Sequence, residues 1–223
     1  IFHPKIWALR FANEAHQVLH RVVILSRNLT FDRSWDTALV LDERGDGPID
    51  AHPMAEFLRR LPDLALRPMS EKRRGQVDDL AASLAGVKLA VPDSFRAGEL
   101  VPIGMDDTTW PFPERGRKLL AISPFLTCSA VTALAGVADE RILVSRAAAL
   151  EGVGRDQLDG WVTKVLQPLV ESEDPADGGD GAEETAQLSG FHEVREGLHA
   201  KTFVVDLTGG QSVVITGSAN LTS

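Results

Sequence analysis

The feature that most limits what this chain can fold into is an internal repeat. His3-Pro4-Lys5-Ile6-Trp7-Ala8-Leu9 superposes on His199-Ala200-Lys201-Thr202-Phe203-Val204-Val205. Farther along, Val22-Val23-Ile24-Leu25-Ser26 with Asn28-Leu29-Thr30 superposes on Val214-Ile215-Thr216-Gly217-Ser218 with Asn220-Leu221-Thr222. Each unit reads as a strand carrying H-x-K, a hairpin, a second strand and then S-x-N-L-T. Lys5 to Asn28 is 23 positions and Lys201 to Asn220 is 19, a difference that falls in the hairpin loop, where length is tolerated. A repeat of this kind asks for two similar structural modules.

Strand geometry gives the repeat chemical content. Side chains alternate along a strand, so His and Lys two positions apart share a face. Ser and Asn at the end of the paired strand can reach the same edge. Each unit thus presents an imidazole, an ammonium, a hydroxyl and an amide, and two units about a pseudo-twofold axis supply two of each. A phosphodiester needs that set. One histidine attacks phosphorus, the other protonates the leaving oxygen and later activates water, and the lysines and asparagines hold the non-bridging oxygens. A lone H-x-K on a strand is common, and a lone S-x-N-L-T is a turn with Asx character. Two copies in the same order are far more specific.

At these residues the chain resembles the phospholipase D superfamily. The second motif matches in full, as His199-x-Lys201-x4-Asp206 followed by Gly217-Ser218-x-Asn220. The first is partial, with Arg10 where the aspartate would be and Leu25 where the glycine would be. Tyrosyl-DNA phosphodiesterases, similar in Arg21–Trp35, also lack that aspartate, and the resemblance implies that Asp206 is structural and sits away from phosphorus. It further implies an acidic or amide residue after each S-x-N, bonded to a catalytic histidine; Asp36 is the candidate in the first half. The expected catalytic set is therefore His3, Lys5, Asn28, His199, Lys201 and Asn220, supported by Ser26, Asp36, Asp206 and Ser218. His3 is expected as nucleophile, with Asp36 available to orient it, and His199 as general acid and base. The fold implied is α/β: two phospholipase D-like half-domains with mixed sheets flanked by helices, and the site at the pseudo-twofold interface.

Organisation along the chain follows. Strands are expected at 3–10, 21–26 and 35–42, then helical character over 50–86 broken at Pro62 and Pro68, then strands at 87–91 and 98–104. Residues 117–145 resemble the opening βαβ unit of a half-domain. The run 119–138 has the length of a membrane span, but Pro124 and interspersed Ser and Thr favour a buried strand over 119–123, a turn, and a helix from about Thr127. A strand at 140–145, helical signal at 155–165, and strands at 198–206 and 211–217 complete the reading. The stretch 171–187 holds seven acids, no base and almost no large apolar side chain, which predicts a disordered acidic loop. The expected division is 1–45 as the remainder of a first half, 46–104 as a helical linker or insertion, and 105–223 as a truncated second half. Both ends look cut, and further domains of a longer chain are expected.

Composition narrows the function. The net charge of −9 argues against a protein that coats nucleic acid nonspecifically, though a cleft can be basic on an acidic protein. One cysteine, Cys128, excludes an internal disulfide and makes a reducing cytoplasm the natural compartment. The six histidines show no metal-ligand spacing, so neither metal nor other cofactor is expected. A metal-independent nuclease or DNA-processing phosphodiesterase is the leading reading, with DNA ahead of RNA as substrate and no membrane partner. The alternatives are a phospholipase or phosphatidyl transferase, and an inactive module that grips nucleic acid. The basic helical residues Arg59, Arg60, Arg67, Lys72, Arg73 and Arg74 could form a nucleic-acid surface, but the interspersed acids favour a solvated face. The oligomeric state is left open.

Overall fold

The structure, a computed structural model, describes residues 4–28, 34–104, 110–165 and 197–222. His3 and the acidic stretch 171–187 lie outside the described residues.

The chain is mixed α/β. Strands β1 (Ile6–Ala12), β2 (Val18–Leu25) and β3 (Ala38–Asp42) form an antiparallel sheet in the order β1-β2-β3. Asn13 closes the first hairpin by accepting the Gln17 N–H on its side chain at 2.9 Å. A small ribbon, β4 (Ile49–Asp50) with β5 (Lys88–Leu89), brackets helices α1 (His52–Arg60) and α2 (Glu71–Leu84). Pro near the start of α1 suits the first helical turn, and Ser70 caps α2 by accepting the Arg73 N–H.

The second sheet contains β6 (Gly116–Ile122), β7 (Ala138–Ser145), β8 (Trp161–Val165), β9 (Thr202–Asp206) and β10 (Ser212–Thr216), in the order β10-β9-β6-β7-β8. Its middle is parallel, β6 to β7 to β8, while β9 runs antiparallel to both β6 and β10. Helix α3 (Cys128–Ala135), capped by Thr127, makes the β6-to-β7 crossover, and α4 (Ala147–Val153) follows β7. The run 119–138 is thus strand, turn and helix. Among the described residues no helix is long and apolar enough to cross a membrane.

Each sheet has its own core. Val22 and Leu41 of the first sheet pack with Met54, Phe57 and Leu58 of α1 and Ala81 and Leu84 of α2. The segment 46–104, expected as a linker or insertion, therefore shares one apolar core with the strands of 1–45. Leu119, Ala121, Leu143, Phe203 and Val205 of the second sheet pack against Val131 and Leu134 of α3.

Three expectations need correction. The helical signal at 155–165 is a short 3-10 turn, Asp156–Leu158, followed by strand β8. Gly154 and Gly160, at φ of 84° and 72°, turn the chain out of helix, and the helix lies earlier, on the alanine-rich run of α4. Residues 98–104 form no strand; Leu100 is buried in the first core without a ladder. The strands expected to begin at 35 and 198 begin at Ala38 and Thr202, because Trp35 and Leu198 are occupied with each other in an isolated bridge.

The two hairpins match each other in register. Ile6 pairs Ile24, Trp7 pairs Val23 and Ala8 pairs Val22 in the first. Thr202 pairs Thr216, Phe203 pairs Ile215 and Val204 pairs Val214 in the second. These are the positions that the sequence repeat superposes. The terminal hydrogen bond matches as well: the Leu25 N–H donates to the Lys5 carbonyl at 2.9 Å, and the Gly217 N–H to the Lys201 carbonyl at 3.4 Å.

Candidate active site

The ends of the two hairpins meet. Trp35, just before β3, is pinned through its backbone: its N–H donates to the Gly197 carbonyl at 2.6 Å, and its carbonyl accepts from the N–H groups of His199 and Ala200 at 2.9 and 2.7 Å. Thr216 at the end of β10 donates its hydroxyl to that of Thr37 at 3.1 Å. Lys201 completes the junction. Its ammonium donates to the Ser26 carbonyl at 2.8 Å and to the His199 carbonyl at 2.9 Å, and the residue is 3% exposed.

Burial of an ammonium in this place is costly, and its pKa registers the cost. It is pulled down to about 8, first by desolvation and then by the like charge of Lys5, with Asp36 partly opposing. Lys5 is itself lowered by burial. The charge of Lys5 thus bears on Lys201 across the junction. His199 is held below the ordinary histidine value by burial and then by the cations Arg27 and Arg146, with Asp36 opposing and Lys201 adding to the effect. A cationic patch, with one carboxylate in it, sits at the junction of an acidic protein.

The supporting residues sort themselves by position. Ser26 is fully buried at the end of β2, where its hydroxyl donates to Asp36 at 3.2 Å and accepts the Thr37 N–H at 2.8 Å. Asp36, expected to orient His3, is an exposed residue whose charge bears on His199 and Lys201. Ser26→Ala is expected to destabilise the fold by about 1–3 kcal/mol, because it strands a backbone donor and a carboxylate contact together. Urea unfolding would measure it, and a midpoint equal to wild type would contradict the assignment.

Asn220 and Ser218 follow β10. The chain there is tied down by Leu221, whose N–H donates to the Ser123 hydroxyl at 3.1 Å and whose carbonyl accepts the Thr127 N–H at 3.0 Å. The Asn220 side-chain oxygen is buried with no hydrogen-bond partner among the described residues. Asn28 is exposed, two positions beyond Ser26. Asp206 does not join the site. It stands at the far end of β9, about 16 Å from Lys201 at ordinary strand rise, where it accepts from Arg117 at 3.3 Å and from Ser212 at 2.8 Å. Its part is to tie β6, β9 and β10 together.

Three residues at the junction were not singled out from the sequence. Arg146 directly follows β7, with its Nη2 3.1 Å from His199 Nε2 and its guanidinium over the Phe125 ring at 4.8 Å. Arg27 lies within the repeat, between Ser26 and Asn28, and donates to the Ser34 hydroxyl at 2.9 Å. Trp35, joined to the His199 segment through its backbone, is 62% exposed. The signal that could have found Arg146 is its place at the carboxyl end of a parallel strand, where α/β sheets keep their ligand sites. Among the described residues no group of three or more His, Cys, Asp or Glu comes together as a metal site. No protein-family model, no characterised protein and no solved structure matches the chain.

Proposed function

We propose that the junction is the active site of a phosphodiesterase of the phospholipase D type, built from two related halves and acting on nucleic acid, DNA ahead of RNA. One observation carries the reading: Lys201 of one repeat is buried on the Ser26 carbonyl of the other, within reach of the Lys5 charge. Two ammonium groups held together at a desolvation cost make sense where an anion is to be gripped. In this reading a histidine ring nitrogen attacks phosphorus while the bond to the leaving oxygen breaks. The other histidine gives that oxygen its proton, then takes one from the water that frees the enzyme. Lys5, Lys201 and the asparagines Asn28 and Asn220 hold the non-bridging oxygens as charge builds. Trp35, exposed and tied through its backbone to the His199 segment, offers a ring on which a base can stack, which favours nucleic acid.

A second reading, phospholipase or phosphatidyl transfer, is favoured by the apolar face that Trp7, Phe11, Leu19 and Val40 leave exposed on the first sheet. One assay separates these. The protein is incubated with excess EDTA on single- and double-stranded DNA, on a small chromogenic phosphodiester and on phosphatidylcholine vesicles. Cleavage of DNA in EDTA is the expected result. Activity that disappears in EDTA and returns with magnesium sinks the metal-independent mechanism. Headgroup release without DNA cleavage selects the lipid reading, and DNA binding with no cleavage of anything leaves only a gripping module.

A further inference from the structure

We propose that the outward face of the first sheet is the seat of a second copy of this chain, which makes the protein a twofold dimer. The inference stands apart from the phosphodiesterase reading.

Strand parity defines the face. Ile6, Ala8, Val22, Ile24, Leu39 and Leu41 belong to the core shared with α1 and α2. Side chains alternate along a strand, so the residues between them point the other way. Register sets three rows on that outward side: Trp7 beside Val23 beside Val40, Leu9 beside Arg21 beside Asp42, and Phe11 beside Leu19. An antiparallel sheet with one face in water reads apolar inside and polar outside. This sheet is apolar on both sides. Six of the eight positions in these rows hold Trp, Phe, Leu or Val, and Trp7, Phe11, Leu19 and Val40 are each close to half exposed. An apolar surface of that extent on a folded chain marks a contact.

Charge selects the occupant. The chain carries −9, yet the two charges in these rows, Arg21 and Asp42, close on each other through bonds of 2.5 and 3.0 Å. The face is therefore neutral, with nothing on it to draw a nucleic acid or an acidic peptide. It suits a bilayer poorly, because the ion pair stands in the middle row, where submerging Trp7 and Phe11 on either side leaves it no way out to water. A second copy brings the same neutral face. Two acidic molecules meet there with the least repulsion, and the ion pair is buried already closed. The make-up is that of a contact between like subunits, mostly apolar with Trp, Phe and Arg among its members. Side chains of these sizes and exposures cover roughly 600 Å² on each copy, so a pair buries roughly 1,200 Å², the size at which specific interfaces begin. Two sheets stacked face to face interdigitate such side chains into one core.

Sedimentation equilibrium from about 1 to 100 μM tests the proposal. Twice the chain mass is expected in the upper part of that range. Leu19→Lys with Val40→Lys places two ammonium groups in each copy of the face and should weaken dimerisation by about 100-fold or more. Leu66→Lys, at a wholly exposed site between α1 and α2, should leave it unchanged. Circular dichroism and urea midpoints show whether the variants fold, and Val40→Lys alone decides if the double variant does not. A wild-type chain that stays monomeric throughout overturns the proposal with no variant needed. A folded face variant that dimerises as wild type does, or a Leu66→Lys chain that loses the dimer equally, also overturns it. A monomer that floats with phosphatidylcholine vesicles, and stops doing so in the face variant, assigns the face to lipid and overturns it as well.

Discussion

His199→Ala is expected to lower kcat/KM for phosphodiester cleavage by about ten-thousand-fold, and Lys201→Met by about 100- to 1000-fold, with the methionine variant as stable as wild type to within about 1 kcal/mol. The histidine takes part in bond making, so little replaces it. The lysine supplies charge to a developing oxyanion, and the loss of one such donor has the smaller effect. The stability forecast for Lys201→Met balances two terms. The buried ammonium is disfavoured even with its hydrogen bonds made, as its pKa of about 8 records. Methionine removes that cost and fills a similar volume, but it leaves the Ser26 and His199 carbonyls without their shared donor. The terms oppose and are of similar size. Steady-state kinetics with urea unfolding of the same preparations gives both numbers. If both variants keep activity within tenfold of wild type, the junction is not the active site.

Between pH 8 and about 10.5 the protein is expected to become more stable as pH rises, by on the order of 3 kcal/mol. Lys201 loses its proton at about 8 in the folded chain and at its ordinary 10.5 when unfolded. In that window the unfolded state binds more protons, so raising the pH favours folding. The contribution is fully present above the unfolded value and is lost as pH falls through the folded one. The chain contains no tyrosine to titrate in the same range. Lys201→Met removes the effect and is the control. Activity should run the other way, with an alkaline limb in kcat/KM near pH 8, because only the charged ammonium grips an anion. Inorganic phosphate, which favours the charged form, should stabilise wild type more at pH 7 than at pH 9.5. Parallel pH profiles of wild type and Lys201→Met in urea would contradict the burial of this lysine.

Much of the frame was legible because it follows from local pattern. The hairpins at 6–25 and 202–216 announce themselves by β-branched runs and turn residues, and the Gly209-Gly210 turn sits at the positive φ values that only glycine adopts freely. Thr127 as a helix cap was readable from its own chemistry. The region 147–165 was not, since the alanine run and the following Trp-Val strand differ mainly in what they pack against, and β8 exists because β7 offers it a parallel edge. Asp206 belongs to the matching motif, and spacing along β9 carries it away from Lys201, in keeping with the structural part that the resemblance implies.

By itself the sequence determined the repeat, and with it the pairing partners inside each hairpin and the residue types at their ends. Those are local: spacing along a strand sets which side chains share a face, whatever else the chain does. Only the tertiary structure decided how the two ends face each other. The Trp35 backbone between Gly197 and Ala200, the Lys201 ammonium on the Ser26 carbonyl and Arg146 against His199 Nε2 all join residues from distant parts of the chain. A contact of that kind depends on two sheets docking at one angle and depth, and no pattern within either segment encodes it. The electrostatic state of the site follows from the docking too, because desolvation and like charge act through space. The same H-x-K that reads as an ordinary lysine in the sequence becomes, once buried beside its repeat, a group that gives up its proton near pH 8.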